Sequence, residues 1–312
     1  MPSRTIINSR LRSQLIQAIG SSARLTFDEP MSRHTTFRIG GSADAFFEPE
    51  NESEIIRALQ YCAGQEIPVT LIGNGSNLLV SDHGIRGLVL SVGQPFSGLS
   101  IQGCCIEAKA GTRLSVLAGA AAKAQLTGLE FASGIPGTLG GAIQMNAGAY
   151  NACMQDVIVE TDILDEQLNP VTITGQEHQF AYRHSLFSDR SVIIIKARMS
   201  LKNGDIKQIF DCMTDLANRR RCSQPLELPS AGSVFKRPAG YYAGKLISDC
   251  QLKGFAIGDA QVSEKHAGFI VNRGQATAHD VRKLIEHIRR TVLDQQGVRL
   301  ETEIKVIGDW ST

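Results

Sequence analysis

Apolar residues that recur every three or four positions predict four helices along the chain. The predicted helices cover residues 9–19, 51–65, 113–128 and 277–296. In the first of them Leu11, Leu15, Ile16 and Ile19 share one face, and Gly20 follows as a stop signal. The last begins with a capping box, Thr277 with Asp280 three residues on, and ends at Gly297. Its apolar stripe consists of Val281, Leu284, Ile285, Ile288, Val292 and Leu293.

Alternating or β-branched apolar segments predict strands. They cover residues 34–49, 67–73, 78–82, 87–92, 104–111, 191–201 and 298–308. In the last segment, the two-residue period puts Arg299, Glu301, Glu303 and Lys305 on the polar face. Because helix-length segments do not separate every pair of strands, the order indicates an α+β protein rather than a doubly wound parallel sheet.

Composition is that of an ordinary soluble globular protein. The chain has 312 residues, 42% of them hydrophobic and 20% charged, which suggests about two domains. A net charge of +1 gives no overall field that would recruit nucleic acid or an anionic membrane. The one basic run, Arg219-Arg220-Arg221, is expected to be a solvated helix end.

Cysteine usage and the N-terminal residues indicate a reduced, cytoplasmic protein. The seven cysteines are odd in number, form no CxxC pair and have no metal-ligand spacing, so no metal site is expected. The first thirty residues contain no apolar stretch typical of a signal peptide. No run of about 18 apolar residues predicts a membrane span, so no membrane insertion is expected.

Two glycine-rich segments have a main chain that few large side chains cover, at residues 73–77 (GNGSN) and 134–150 (GIPGTLGGAIQMNAGAY). Either could be a pair of tight turns. Glycine also permits close approach of the main chain to a ligand, and successive backbone N–H groups form a nest for phosphate oxygens. Dinucleotide and P-loop fingerprints both fail, since Leu78 stands at the third glycine of the former and no Ser or Thr follows Lys245. Two such segments would suit a long ligand with a central diphosphate.

The order of four motifs resembles the FAD-binding domain of the UDP-N-acetylenolpyruvoylglucosamine reductases. They are HTTFRIGGSADAFFEP, LIGNGSNLLVSD, GLEFASGIPGTLGGAIQMNAGAY and YRHSLF. PSAGSVFKRP, AGKLISDCQLKGFAIGDAQVSEKHAGFIVN and GVRLETEIKVIG are similar to the same family's substrate domain. The resemblance implies a helical lead-in at 1–33, a two-lobed FAD-binding domain of the vanillyl-alcohol-oxidase type at 34–205, and an α+β substrate domain at 206–312.

This family binds FAD non-covalently and uses NADPH to reduce the enolpyruvyl ether of UDP-N-acetylglucosamine to UDP-N-acetylmuramate for the cell wall. The resemblance therefore implies FAD contacts at Gly73, Asn74, Gly75, Ser76, Asn77, Gly134, Pro136, Gly137, Thr138, Gly140 and Gly141. It implies substrate contacts at Tyr150, Arg237, Lys245 and His266, although some relatives carry amides at Arg237 and His266. Only four residues, 239–242, separate KRP from AGKLIS, as in the family's shorter form, which lacks a tyrosine-bearing loop.

Reduction of an enolpyruvyl ether requires a hydride, a proton, and stabilisation of negative charge on the carboxylate in between. The resemblance implies that Ser233 donates the proton, Arg183 grips the carboxylate and Glu303 is its acidic partner. From the residues alone, Ser233 could be a turn residue, Glu303 a solvated carboxylate on the polar face of its strand, and Arg183 an ordinary ion-pair partner.

Two other functions are compatible with parts of the pattern. An FAD oxidase of the same fold often attaches its flavin to a histidine near the first phosphate loop, but GNGSN contains none and His83 lies beyond the next strand. A nucleotide-sensing module without turnover would be expected to lose Ser233, Arg183 or Glu303, and all three are present.

Overall fold

The computed structural model describes residue 7, residues 9–20 and residues 24–311. Part of the predicted lead-in, residues 1–33, therefore lies outside the described residues. Within them the helices are α1 (Ser9–Ile19), α2 (Glu52–Gly64), α3 (Leu114–Lys123), α4 (Leu139–Gln144), α5 (Ile206–Ser223), α6 (Ala243–Asp249) and α7 (Ala278–Gln296). The four predicted helices are confirmed as α1, α2, α3 and α7, while the apolar pattern does not single out α4, α5 and α6.

The strands of the first half are β1 (Leu25–Pro30), β2 (Ser42–Phe47), β3 (Val69–Ile72), β4 (Leu78–Val80), β5 (Ile85–Ser91), β6 (Leu99–Gln102), β7 (Cys105–Lys109), β8 (Leu126–Thr127), β9 (Gly148–Ala149) and β10 (Ala152–Cys153). Those that follow are β11 (Ile158–Leu164), β12 (Pro170–Thr174), β13 (Ile193–Ser200), β14 (Lys202–Asn203), β15 (Ala256–Ile257), β16 (Ala260–Val262), β17 (Ile270–Asn272) and β18 (Lys305–Ile307). Most predicted strands are present, but residues 34–41 form turns ahead of β2, with Arg38 at a φ of 57°.

Two sheets form the scaffold of the first two thirds of the chain. One has the order β1-β2-β5-β3, in which β1 is antiparallel to β2 and the other two pairs are parallel. The other has the order β12-β11-β13-β7-β6 with every pair antiparallel. Helices separate only some of these strands, so the predicted α+β class is confirmed.

Buried apolar side chains form three clusters. The largest spans residues 7–201 and contains side chains from the helices α1, α2, α3 and α4 and from the five-stranded sheet. A second spans residues 231–304 and also includes Phe37, Ile39 and Leu79 from the earlier part of the chain. A small third cluster lies around the four-stranded sheet. Met213 of α5 packs against the largest cluster, and the domain boundaries at 33/34 and 205/206 stay predictions.

Helix α7 packs beside the antiparallel sheet β15-β16-β17, and its termini are as predicted. The Thr277 hydroxyl accepts a bond from the Asp280 N–H at 3.0 Å, and the Asp280 carboxylate accepts one from the Thr277 N–H at 3.0 Å. Gly297 ends the helix with a φ of 68°. The predicted stripe is buried except for Leu293, which is 43% exposed because it lies 100° round the helix from Val292.

Residues 298–308 were predicted to form one strand, and this is wrong. Residues 301–303 bond to the segment that carries Ser233, through Lys236 N–H to Glu301 O at 2.9 Å and Glu303 N–H to Val234 O at 2.7 Å. Residues 305–307 instead form β18, parallel to β4. The chain changes partner at Ile304, so the two-residue alternation does not describe which side chains are exposed.

The seven cysteines are free thiols. The described part of the chain contains no group of three or more His, Cys, Asp or Glu residues that could hold a metal ion. Within residues 7–20 and 24–311 as far as they are described, no helix combines the length and the apolar character needed to cross a bilayer.

His178 is fully buried beside the five-stranded sheet and is expected to make stability depend on pH. Its Nδ1–H donates to Gly175 O at 3.0 Å, so Nε2 accepts from the Thr161 hydroxyl at 2.9 Å. Burial lowers the pKa of His178 below its ordinary value of 6.5, against the opposing effects of Gly175 and Glu177. The unfolded chain then binds more protons than the native one, so native stability present above pH 6.5 is lost as pH falls.

We therefore expect the free energy of unfolding of the parent to fall between pH 7 and pH 5, by at most about 1.4 kcal/mol per pH unit for this one proton. His178→Gln should flatten the fall measured by urea denaturation, and the exposed control His279→Gln should not. Equal slopes in His178→Gln and the parent would show that His178 does not carry the effect.

Candidate active site

The first glycine loop, residues 73–77, joins β3 to β4. Gly75 has a φ of 62°, and a Cβ built on it would lie 1.9 Å from the carbonyl oxygen of His34. Only glycine fits there, and its constraint comes from the protein itself. Among the described residues, no acceptor meets the backbone N–H of Asn74, Gly75, Ser76 or Asn77. Four consecutive donors are therefore available to an anionic ligand.

The second glycine loop leads from residue 134 into α4. The amide of Gly140 donates to Ala110 O at 2.8 Å, and a Cβ at Gly140 would lie 3.0 Å from the Ala110 Cβ. Close packing on the protein, rather than ligand approach alone, requires glycine at this position. At Gly137 a Cβ would meet only the Ser76 hydroxyl, 3.7 Å away. The two loops therefore approach each other at Gly137 and Ser76, where a Cβ on Gly137 would just reach the Ser76 hydroxyl.

Both loops line one channel of about 160 Å³. Nine of the eleven predicted cofactor residues lie on its wall: Gly73, Asn74, Gly75, Ser76, Asn77, Pro136, Gly137, Thr138 and Gly141. Gly140 lines an adjoining slot whose other walls include Val92, Phe187 and Ile194. Gly134 lies outside both. Consecutive backbone N–H groups without acceptors, beside an apolar slot, fit a ligand that has a diphosphate and a flat ring.

The three predicted catalytic residues line one cavity of about 350 Å³ and a second, adjoining cavity of about 620 Å³. Arg183 Nε donates to Glu303 Oε1 at 2.8 Å, and Arg183 Nη2 donates to Gly148 O at 3.2 Å. Arg183 has a φ of 55°, a strained conformation for a residue with a side chain. Ser233 follows Gly232, whose φ is 76°. The structure brings Arg183, Ser233 and Glu303 together.

Glu303 is not the solvated carboxylate that its alternating pattern predicts. Only 12% of its side chain is exposed, because residues 301–303 pair with residues 234–236 instead of extending β18. Burial raises the pKa of Glu303, and the nearby charges of Arg183 and Lys236 partly oppose that rise. A buried carboxylate held on a guanidinium fixes the direction of that guanidinium.

The cofactor channel and the catalytic cavity share a hydrogen-bonded seam. The Asn77 side-chain N–H donates to Glu303 O at 3.1 Å, and Lys305 N–H donates to Asn77 O at 2.9 Å. Lys305 and Ile307 also line the channel, beside the first glycine loop. The backbone of Glu303 is therefore tied both to the segment that carries Ser233 and to the loop at 73–77.

The smaller cavity is basic. Arg237, Lys245, Lys253, Lys265 and His266 line it, and Glu303 is the one acidic residue on its wall. The Arg237 guanidinium lies 3.9 Å above the Tyr242 ring, and Lys245 pairs with Asp249 at 2.7 Å. The arginine and the three lysines suit an anionic ligand such as a diphosphate.

His266 stands between the two cavities in a defined tautomer. Its Nδ1 accepts a bond from the Gly268 N–H at 3.1 Å, so Nε2 carries the proton of the neutral ring. Burial lowers the pKa of His266, with a smaller opposing effect of a backbone hydrogen bond. A neutral ring with a fixed N–H is a donor like an amide, which accounts for a histidine at a position where some relatives carry amides.

Two further residues line the larger cavity. Tyr150, predicted to contact substrate, is 41% exposed, and its hydroxyl donates to Leu216 O at 3.2 Å. Arg220 was predicted to be a solvated helix end, but burial lowers the pKa of its guanidinium and its side chain faces the cavity. The signal was present in α5, since Arg220 continues the helical spacing of Ile209, which is buried, and Met213, which packs against the largest apolar cluster.

Comparison with known proteins shows which family this chain resembles. A family model described as "FAD binding domain" matches residues 43–167, and one described as "UDP-N-acetylenolpyruvoylglucosamine reductase, C-terminal domain" matches residues 224–307. The chain is 48% identical over 294 residues to a UDP-N-acetylenolpyruvoylglucosamine reductase of Caldanaerobacter subterraneus, covering 94% of this chain and 97% of the relative. It is 44% identical over 289 residues to that of Clostridioides difficile, covering 93% and 95%.

A solved structure of high similarity is the UDP-N-acetylenolpyruvylglucosamine reductase of Thermus caldophilus. The two superpose with a TM-score of 0.77 at 34% sequence identity, covering 90% of this chain and 97% of the other. The similarity includes both the glycine-loop half and the half that carries Ser233 and Glu303.

Proposed function

The chain belongs to the UDP-N-acetylenolpyruvoylglucosamine reductase family, and from that membership we propose how its own residues carry out the family's reaction. The protein is an FAD-dependent oxidoreductase with a two-lobed FAD-binding domain. It uses NADPH to reduce UDP-N-acetylglucosamine enolpyruvate to UDP-N-acetylmuramate in peptidoglycan precursor synthesis. This membership favours a reductase over an oxidase of the same fold.

The channel between the two glycine loops holds FAD. Backbone N–H groups of residues 74–77 would bind its diphosphate, and the apolar slot beside Gly140 would take a flat ring. When bound, FAD carries two electrons from NADPH to the enolpyruvyl ether. The fit rests on the free donors and on Gly137, where a Cβ would meet only the Ser76 hydroxyl, at 3.7 Å.

Arg183 already donates hydrogen bonds to Glu303 and Gly148, and it binds the substrate carboxylate with its remaining N–H groups. Glu303 holds the guanidinium in place, and the positive charge stabilises the negative charge that builds on the carboxylate during the reaction. The strained backbone of Arg183 fits a residue whose position is set by function.

Ser233 donates the proton to the carbon that bears the carboxylate. A serine hydroxyl is a poor acid, so nearby positive charge must lower the cost of its deprotonation. Arg183 and the cations of the basic cavity line the same space as Ser233 and supply that charge.

The basic cavity binds the anionic part of the UDP substrate and of NADPH in turn. Arg237 and Lys245 meet phosphate oxygens, and His266 and Tyr150 donate neutral hydrogen bonds. The use of a UDP-sugar and of NADPH supports a cytoplasmic reaction. No nucleic-acid partner is proposed, since the net charge is +1.

The observation that carries this proposal is the meeting of Ser233, Arg183 and Glu303 in a cavity that adjoins the channel of the glycine loops. We expect the purified protein to be yellow and to release intact FAD on denaturation. Anaerobic NADPH should bleach it, and the enolpyruvyl substrate should restore the colour. A colourless protein that takes up no added FAD would contradict the proposal at its first step.

A further inference from the structure

The backbone of Arg183 has a strained conformation that another part of the protein must hold. Arg183, with its φ of 55°, is the second central residue of a tight turn between Ala181 and His184. The two ends exchange backbone hydrogen bonds, from Ala181 N–H to His184 O at 3.0 Å and from His184 N–H to Ala181 O at 3.2 Å. Strain of this kind persists only where the surrounding structure fixes it. The residues that hold this turn therefore determine where the guanidinium lies.

The turn at 181–184 is attached to the chain just after α4. The side-chain N–H of Asn146 donates to Ala181 O at 3.0 Å, and Arg183 Nη2 donates to Gly148 O at 3.2 Å. The first of these hydrogen bonds holds the backbone of the turn, and the second holds the guanidinium. Both parts of the turn are therefore fixed to one short segment, which belongs to the second glycine-rich stretch of the sequence.

Asn146 is placed to hold a neighbouring segment rather than to meet a ligand. It is 4% exposed, and its side-chain oxygen accepts the N–H of Gln155 at 3.0 Å, so both polar atoms of the side chain are bonded within the protein. Its φ of 43° lies in the left-handed region, which asparagine adopts more readily than most residues. Met145 and Ala147, on either side of it, line the cofactor channel and the larger cavity. Asn146 therefore connects that wall to the turn that carries Arg183.

We propose that Asn146 is a positioning residue, which anchors the turn at 181–184 to the wall of the cofactor channel and so places the Arg183 guanidinium for the substrate carboxylate. The inference rests on the proposed function, which assigns that carboxylate to Arg183. Glu303 and Gly148 fix the direction of the guanidinium, whereas Asn146 fixes the backbone from which the side chain extends. A displaced backbone would shift the guanidinium even if its direction were kept, and a misplacement of about 1 Å can slow a reaction about 10²-fold.

The test replaces one atom of the anchor. Asn146→Asp keeps the size of the side chain and the oxygen that accepts from Gln155, but it removes the donor to Ala181 O and puts an acceptor in its place. We expect the second-order rate constant for recolouring of the bleached protein by the enolpyruvyl substrate to fall about 10–100-fold. Bleaching by NADPH should stay close to the parent rate, because no substrate carboxylate takes part in that half. Anaerobic stopped-flow absorbance of the flavin measures both rates.

Asn272→Asp is a matched control for a purely structural role. Asn272 is 3% exposed, its side-chain N–H donates to Phe37 O at 3.1 Å, and its side-chain oxygen accepts backbone N–H groups, as that of Asn146 does. It lines neither of the cavities that contain Ser233. Both substitutions should lower the thermal midpoint, but Asn272→Asp should recolour at the parent rate.

Two further measurements show whether the effect runs through Arg183. UDP-N-acetylglucosamine lacks the enolpyruvyl carboxylate, so Asn146→Asp should bind it as tightly as the parent does. In an Arg183→Ala background, Asn146→Asp should slow recolouring no further, because residues that act through one another are not additive. If Asn146→Asp does not fold, Ser185→Ala replaces it. That variant removes the hydroxyl that donates to Gln144 O at 2.7 Å beside the turn, and it should slow recolouring several-fold.

The proposal is overturned if Asn146→Asp, or Ser185→Ala in its place, recolours as fast as Asn272→Asp or slows bleaching as much as recolouring. It is also overturned if Asn146→Asp weakens binding of UDP-N-acetylglucosamine as much as binding of the enolpyruvyl substrate, or if its effect adds in full to that of Arg183→Ala. Failure of the proposed function is a different result. In that case the parent would hold no FAD or would stay bleached with the enolpyruvyl substrate, and there would be no recolouring rate to compare.

Discussion

Replacement of Ser233 by alanine is expected to slow the recolouring of the bleached protein by its enolpyruvyl substrate by about 10²–10⁴-fold, the usual share of a general acid. Bleaching by NADPH should stay close to the parent rate, because that half of the reaction takes no proton from Ser233. Anaerobic stopped-flow absorbance of the flavin measures each half separately. Ser233→Cys, which keeps a transferable proton, should lose less than Ser233→Ala.

A matched control is Ser230→Ala, three residues earlier and outside both cavities that Ser233 lines. It should leave both half-reactions unchanged. Removal of Arg183 or Glu303 should also affect mainly the second half, because both act on the substrate carboxylate. The proton-donor role of Ser233 is wrong if Ser233→Ala slows bleaching and recolouring alike, or leaves recolouring within a few-fold of the parent.

Gly137→Val is expected to weaken FAD binding by about 10–100-fold while the apoprotein keeps its thermal midpoint to within a few degrees. A Cβ at Gly137 would meet only the Ser76 hydroxyl across the channel, at 3.7 Å, so the new side chain fills ligand space rather than protein space. Overfilling of a packed space costs about 1–3 kcal/mol, which gives this range. FAD affinity is measured by fluorescence titration of the apoprotein.

Two other valine substitutions serve as controls for Gly137→Val. Gly119 in α3 has no atom within 4 Å of its built Cβ, so Gly119→Val should leave FAD affinity unchanged. Gly140→Val should instead lower the thermal midpoint, because its Cβ would strike Ala110 at 3.0 Å. If Gly137→Val binds FAD as tightly as Gly119→Val does, the gap between the loops is not the cofactor site.

Local sequence patterns predict much of the fold because their causes are local. The capping box at Thr277, the left-handed Gly297 and the apolar stripe of α7 depend on neighbours within a few residues. The two glycine loops are also visible in the sequence. The reason for each glycine is not visible in the sequence. A side chain at Gly75 would collide with His34 and one at Gly140 with Ala110, and both of these neighbours are distant along the chain.

The environment of Glu303 shows where sequence reasoning ends. The alternation from 298 to 308 is uninterrupted, so nothing local indicates that the chain changes partner at Ile304. The burial of Glu303 results from pairing with residues 234–236, and the period of two residues contains no information about that pairing. Resemblance to a family, rather than pattern, identified Ser233, Arg183 and Glu303 as candidates, whereas the position of Arg220 on the cavity wall follows from its spacing in α5.

The seam between the loop at 73–77 and the segment at 303–307 has a consequence for biosynthesis. Asn77 donates to the backbone of Glu303, 226 positions later in the chain, and Lys305 and Ile307 form part of the channel wall beside the loop. At about 5–20 residues per second, a ribosome makes that wall roughly 10–45 s after the loop. A nascent chain that already contains both glycine loops therefore still has a channel open on one side. Retention of FAD should begin only when the segment around β18 has left the ribosome.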